Sequence, residues 1–294
     1  MDLTSDTAVT QLIELARQED VGSGDISTSL VPHAGKPAAF SLWLKEPGVV
    51  CGVAIAEQVL RAYDPSLRLH WNDGVFDGCA IEDVPHVLAT INGPLGALLT
   101  SERVLLNFLQ RLCGIATLTQ AYVAAVAGTG AAVYDTRKTT PGWRRLEKYA
   151  VRCGGGKNHR MGLFDAVLIK ENHFTQRTAQ AMGGDVFRML NELSMGDAKP
   201  GFIEVEAETL EQLEALLSVT GIDVILLDNF ALDELTRAVQ LRDVLGLKGK
   251  VALEASGGID LTTVGQVART GVERISVGAI THSATATDLS LERV

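Results

Sequence analysis

The sequence predicts an α/β fold whose second half is a parallel α/β barrel of about six strands, short of the usual eight. Two observations carry this. After Gly128, short apolar runs recur as AAVYD, DAVLIK, FIEVE, DVILLD, VALEAS and RISVG, the length and composition of buried strands. Several of the gaps between them, such as LEQLEALLSVTG, LDELTRAVQLRDVLG and LTTVGQVARTG, hold apolar residues at helical spacing. Strands alternating with helices make βαβ units, because a parallel neighbour needs a crossover long enough to hold a helix.

The 294 residues suffice for one large α/β unit or two domains. With 46% hydrophobic and 21% charged residues, disorder is excluded. No apolar run approaches the length of a membrane span. The first twenty residues read as an amphipathic helix, not as a basic segment followed by an apolar one, so no leader is expected. Cys51, Cys79, Cys113 and Cys153 lack CxxC or Cys/His metal spacing. Reduced thiols in a cytoplasmic protein are the expectation. A net charge of −10 argues against nucleic acid as a partner.

In chain order, residues 1–22 predict a helix with Leu12, Ile13, Leu15 and Ala16 on one side, ending near Gly22. Asp25 and Ser27 suit a cap or turn. AFSLWLKE and GVVCGV read as strands, IAEQVLRAY as a helix, and LRLHWNDG, HVLATINGP and GALLT as strands again. His70 and His86 stand alone and read as structural. The stretch from Ser101 to Gly128 predicts two helices broken at Gly114, with Ser101 and Glu102 at the start. Arg103 is then out of place, since a cation is disfavoured at the positive end of a helix dipole.

The charge distribution points to a site. Between Asp135 and Lys170 lie nine Lys or Arg and three acids, a local balance of 9 − 3 = +6 in an acidic chain. Such a concentration suits a small anion. Arg144, Arg145 and Lys148 fit a solvated helix face equally well. Arg137, Lys138, His159, Arg160 and Lys170 lie in Gly-rich turns or at the ends of apolar runs, where a charge needs a partner. The strand exits add Glu206, Asp228, Ser256 with Gly257 and Gly258, and Gly278, and the carboxyl ends of strands are where such folds bind ligands. Arg137, His159, Arg160 and Lys170 suit a carboxylated small molecule, and their mutual repulsion favours one with several negative groups. ASGGI and SVGAITHS suit a phosphate. Glu206 and Asp228 beside phosphates would repel them unless a cation intervened, and Mg2+ is the natural one.

The motifs DTRKTTPGWRRLEKYAVRCGGGKNHRMGL, LIKENH, EVEAETL, ILLDNF, EASGGI and SVGAITHS, preceded by EDVGSGDIST and SERVLLNFLQRLCGIAT, resemble quinolinate phosphoribosyltransferase nearly end to end. The resemblance implies an N-terminal α/β sandwich over residues 1–112, joined by a returning tail of residues 280–294, and an incomplete TIM-like barrel over 113–279. It implies transfer of phosphoribosyl from phosphoribosyl pyrophosphate to quinolinate with loss of CO2, dependent on Mg2+. Carried over by motif, Arg103, Arg137, His159, Arg160 and Lys170 hold quinolinate. Lys138, Glu206 and Asp228 serve the Mg-bound phosphoribosyl pyrophosphate. Ser256, Gly257, Gly258, Gly278 and His282 take its phosphate. The resemblance also implies a homodimer in which Arg103 enters the partner's site. Cys113 replaces an expected serine and Trp143 an expected aliphatic residue. Competing readings are a Schiff-base aldolase using Lys170, a nicotinate phosphoribosyltransferase and a non-catalytic anion sensor.

Overall fold

The computed structural model describes residues 3, 5–174, 178–197 and 199–294, in two compact units. The first comprises Met1–Gln120, Lys138–Gly156 and Ile280–Val294; the second comprises Ala121–Arg137 and Lys157–Ala279.

In the first unit, α1 (Thr7–Val21) is capped by Asp6, whose carboxylate accepts from Ala8 N at 3.0 Å. Residues 1, 2 and 4 of the predicted helix lie outside the described residues. The buried positions are Val9 and Ile13, one helical turn apart, while Leu15 is 61% exposed and not part of the packed stripe. Asp25 caps the single turn α2 (Ile26–Ser29) by accepting from Thr28 N at 2.9 Å. There follow β1 (Pro37–Leu44), β2 (Gly48–Val49), α3 (Val53–Tyr63), β3 (Arg68–Trp71), β4 (Ala80–Ile81) and β5 (His86–Pro94). The C-terminal strand, Leu289–Arg293, joins β1, β5 and β3 in a four-stranded antiparallel sheet, pairing Leu42 with Leu291.

The next helix, α4 (Leu95–Ala125), runs unbroken for 31 residues, and it corrects three expectations. GALLT is its first part and not a strand, since periodicity alone does not separate a short apolar run from a buried helix. Ser101 and Glu102 lie within it. Arg103, eight residues after Leu95, is therefore clear of the N-terminal turn, and the dipole cost inferred for it vanishes. Gly114 does not break the helix. A Cβ there would stand 2.0 Å from the Thr285 carbonyl oxygen, so the glycine admits a crossing backbone. Gly114→Ala is expected to cost ~1–3 kcal/mol through overpacking, lowering Tm by several degrees; an unchanged melt would mean that the crossing segment yields freely. The unit is completed by α5 (Arg144–Cys153).

The second unit is built on β6 (Ala132–Tyr134), β7 (Val167–Ile169), β8 (Ile203–Ala207), β9 (Val224–Asp228), β10 (Ala252–Ser256) and β11 (Arg274–Ser276). They form a parallel sheet in the order β6-β11-β10-β9-β8-β7, so β6 and β7 are edges and the TIM-like barrel is open. Helices α6 (Ala179–Met195), α7 (Leu210–Leu217), α8 (Leu232–Val244) and α9 (Val264–Arg269) alternate with the strands. One sheet face is apolar and buried, with Val205, Ala207, Ile225, Leu227, Leu253, Ala255, Ile275 and Val277. Alternate residues on the other face are Glu204, Glu206, Asp228, Glu254, Ser256, Arg274 and Ser276. Back in the first unit, the chain ends through α10 (Ala279–His282) and β12, the Leu289–Arg293 strand.

Candidate active site

The polar sheet face of the second unit brings together most of the residues singled out in the sequence. Lys170 follows β7 and pairs through Nζ with the Glu206 carboxylate on β8. Glu206 is 4% exposed, so it relies on that cation. In register Glu206 faces Leu226, which puts Asp228 on the same face two residues nearer the strand ends. Asp228 in turn faces Ser256, and Asn229 Nδ2 donates to Asp228 Oδ2 at 2.9 Å. Gly257 has φ +100°, and a Cβ there would stand 2.1 Å from Asn229 Oδ1. Only glycine fits that turn, which keeps the ASGGI backbone close to the Asp228 end of β9. Gly258 also has a positive φ, with open space where a side chain would be. Gly278 follows β11.

Arg160 is 9% exposed and donates to the Ala166 carbonyl at 3.3 Å. Burial first, and then the nearby Arg137 charge, pull its pKa down from the usual arginine value.

A set of charges lies deeper, from within the apolar runs FIEVE, VALEAS and RISVG. Glu204 and Glu254 are fully buried. Arg274 Nε donates to Glu254 Oε2 at 2.5 Å, and its Cζ lies 4.0 Å from the centroid of the Tyr134 ring. His159 Nε2 lies 2.7 Å from Glu204 and 3.5 Å from Glu254, and Nδ1 accepts from Arg160 N at 2.8 Å. The His159 backbone N–H is fixed by Asp135 Oδ1 at 2.9 Å. The signal for this layer was the two-residue spacing of Glu204–Glu206, Glu254–Ser256 and Arg274–Ser276, which places each pair on one strand face.

Burial pushes the Glu204 carboxyl up to about 7, against the opposing pull of Arg274, Arg160 and Lys170. The folded chain therefore holds this proton more tightly than the unfolded chain, for which the ordinary carboxyl value is 4.5. The group's contribution to stability is present below the unfolded value and is lost as pH rises through the folded one. Without divalent cation, Glu204→Gln is expected to gain stability relative to the parent chain as pH rises from about 4.5 to about 7. The gain is on the order of 3 kcal/mol. Denaturant melts across that range would check it, and parallel stability curves would refute it.

Three expected site residues lie in the first unit. Lys138 is exposed, and its carbonyl accepts from Thr281 Oγ1 at 2.8 Å. The next turn is fixed by buried Glu147, which accepts from Thr140 N (3.1 Å), Thr140 Oγ1 (2.8 Å) and Arg111 Nη2 (2.8 Å). His282 is exposed on α10, its Nδ1 2.7 Å from Ser283 Oγ. Arg103 is exposed beside Glu102 at 3.6 Å and borders a hollow of about 330 Å³ with Asp25 and Thr100. Lys148 is fully buried, so the solvated-face reading fails for it, whereas Arg145 is exposed and pairs with Asp6 at 2.5 Å. Trp143 stacks on Phe108 with centroids 4.6 Å apart, filling the place where an aliphatic residue was expected.

Comparison with known proteins gives two matches that together span most of the chain. Residues 25–113 match the quinolinate phosphoribosyl transferase N-terminal domain and residues 115–292 its C-terminal domain. A nicotinate-nucleotide pyrophosphorylase [carboxylating] of Mycobacterium leprae is 40% identical, with 97% of each chain covered. A probable enzyme of that name from Bacillus subtilis is 37% identical, over 93% of this chain and 89% of its own. The structure of the nicotinate-nucleotide pyrophosphorylase from Francisella tularensis superposes with a TM-score of 0.86 at 36% identity, covering 98% of this chain and 96% of that one.

Proposed function

The chain belongs to the quinolinate phosphoribosyltransferase family, and on that premise we infer how its own residues carry the reaction. Quinolinate and phosphoribosyl pyrophosphate are converted to nicotinate mononucleotide, pyrophosphate and CO2 in de novo NAD biosynthesis. The observation that carries our assignment of residues is the strand-end face of the second unit. There Lys170, Glu206 and Asp228 share one side of adjacent parallel strands, and buried Arg160 feels the charge of Arg137.

Arg137, Arg160 and Lys170 bind the two carboxylates of quinolinate, and His159 orients Arg160 by accepting its backbone N–H. A diacid suits this group because it neutralises cations that otherwise repel one another. Held in this way, the pyridine nitrogen is aimed at C1 of the ribose; positioning of this kind contributes up to ~7–11 kcal/mol of barrier reduction. Lys138 neutralises the leaving pyrophosphate. The Ser256–Gly258 turn, Gly278 and His282 take the ribose phosphate, the glycines through backbone N–H groups. Glu206 or Asp228 steadies positive charge growing on the sugar. Once the ring nitrogen is alkylated, its positive charge stabilises the electron pair left on the ring carbon as the C–CO2 bond breaks and CO2 departs, and that carbon then takes up a proton.

Glu206 and Asp228 offer hard oxygen donors on one face of adjacent strands, with Glu206 also paired to Lys170. This donor set fits Mg2+. When bound, Mg2+ would offset the charge of the pyrophosphate oxygens.

Arg103 is exposed and offset from this face in the sequence, and we assign it to the site of a second subunit, making the functional unit a homodimer. Mixing Arg103→Ala with Lys170→Ala chains is expected to restore activity that neither variant has alone; failure to complement would place Arg103 in its own subunit's site. Four free thiols suit a reducing compartment such as the cytoplasm. A Schiff-base role for Lys170 is disfavoured, because its amine is already engaged in an ion pair with the Glu206 carboxylate. The deciding assay supplies carboxyl-labelled quinolinate, phosphoribosyl pyrophosphate and Mg2+ and measures released CO2. Comparable kcat/KM for nicotinate would overturn the assignment of the cations to a diacid.

A further inference from the structure

The first unit holds a second cluster of reactive side chains, where the start of α3 meets the end of α5. Cys51 precedes the glycine that opens α3 and is fully buried, whereas Cys153 is the last residue of α5 and is partly exposed. Their sulfurs and a carboxylate oxygen of Asp77 all lie within 4.8 Å of one another.

The geometry separates two chemistries for this cluster. A metal would need Asp77 as a third donor, but its carboxylate is already committed. Oδ1 accepts from Gly52 N at 2.6 Å and Val53 N at 3.0 Å, holding the N-terminal turn of α3. Oδ2 accepts from the Tyr149 hydroxyl at 2.5 Å. Cys113, also buried, is tied to the Cys51 backbone: its Sγ accepts from Cys51 N at 3.3 Å and donates to Cys51 O at 3.5 Å. That leaves two adjacent thiols, one reached by solvent and one behind it.

We propose that Cys153 and Cys51 form a peroxide-reactive thiol pair, with Cys153 the residue first oxidised and Cys51 the one that closes the disulfide. A hydrogen bond from the Cys51 thiol holds the Cys153 sulfur below the usual thiol range, and burial pushes Cys51 well above it. The exposed partner is thus the better nucleophile at neutral pH, and the buried one keeps its proton until it is needed.

The Cys153 thiolate attacks one oxygen of hydrogen peroxide and the O–O bond breaks. Cysteine sulfenic acid forms, and hydroxide leaves and takes up a solvent proton as water. The Cys51 sulfur then attacks the Cys153 sulfur, giving up its proton to the departing hydroxyl as the S–O bond breaks and the S–S bond forms. Two thiols and one peroxide yield one disulfide and two waters, with sulfur oxidised and peroxide reduced. The sulfurs must approach to ~2 Å. The far end of α5 has little room to give, because a Cβ on Gly154 would stand 2.3 Å from the Ala116 carbonyl oxygen.

Peptide mapping of the intact, reduced chain after treatment with hydrogen peroxide, without reductant, tests this. The expected product is a linked Cys51–Cys153 peptide that dithiothreitol separates. In Cys51→Ser the oxidation should stop at Cys153 sulfenic acid, captured by dimedone, and in Cys153→Ser no linkage should form. If the serine variant does not fold, Cys51→Ala or the wild-type map alone decides the matter. The proposal is overturned by a Cys51–Cys113 linkage, by dimedone capture at Cys79 ahead of Cys153, or by a pair that stays reduced where glutathione is oxidised. Stoichiometric zinc that is lost in both Cys51→Ser and Cys153→Ser would overturn it in favour of a metal site.

Discussion

Lys170→Met is expected to lower kcat/KM for quinolinate by ~10²–10³-fold, the scale of removing one partner from a desolvated charge pair. On the proposed assignment the variant loses a cation for a substrate carboxylate, and it leaves Glu206, with its side chain 5% exposed, without its ion-pair partner. Because the Lys170 side chain is itself 45% exposed, the metal-free chain should lose only ~1–2 kcal/mol of stability, below the range for a fully buried pair. Mg2+ would recover part of that loss if Glu206 helps to hold the ion. Steady-state kinetics and paired melts with and without Mg2+ measure both effects. Near-parental kcat/KM would remove Lys170 from the site.

Arg160→Met separates binding from stability in the opposite sense. Burial and the Arg137 charge make the charged form of Arg160 unfavourable in the folded chain. Removing the charge while keeping most of the stem should therefore leave the ligand-free Tm unchanged or raised. The quinolinate KM should rise by roughly 10²-fold, since bidentate recognition of a carboxylate is lost, and the rise in Tm on adding quinolinate should shrink. A lowered ligand-free Tm with an unchanged KM would make Arg160 a structural residue. On the proposed assignment, a diacid ligand offsets the opposing charges of Arg137 and Arg160.

Much of the site was legible because its chemistry is written at strand ends. Lys170, Glu206, Asp228 and the Ser256–Gly258 turn each follow an apolar run, and parallel strands bring such positions to one rim whatever the intervening helices. Glu204, Glu254 and Arg274 were not legible as a group. Inside FIEVE, VALEAS and RISVG they look like isolated charges in buried strands, and only the register reveals that they face one another. The burial of Lys148 is not legible in the sequence for a similar reason. Its neighbours on α5 are polar, and no local pattern says which side of a short helix meets the core.

The sequence by itself determined the six parallel strands with helices between several of them, the placing of polar residues at strand exits and the family. These follow from periodicity and from motifs that are contiguous in the chain. Tertiary structure alone decided that α4 is continuous through Gly114, because Thr285 crosses there from the far end of the chain. It alone brought Cys51 to Cys153, and His159 to Glu204 and Glu254. In each case the partners are distant in sequence, and a residue's local neighbours carry no information about the atoms that will press against it after folding.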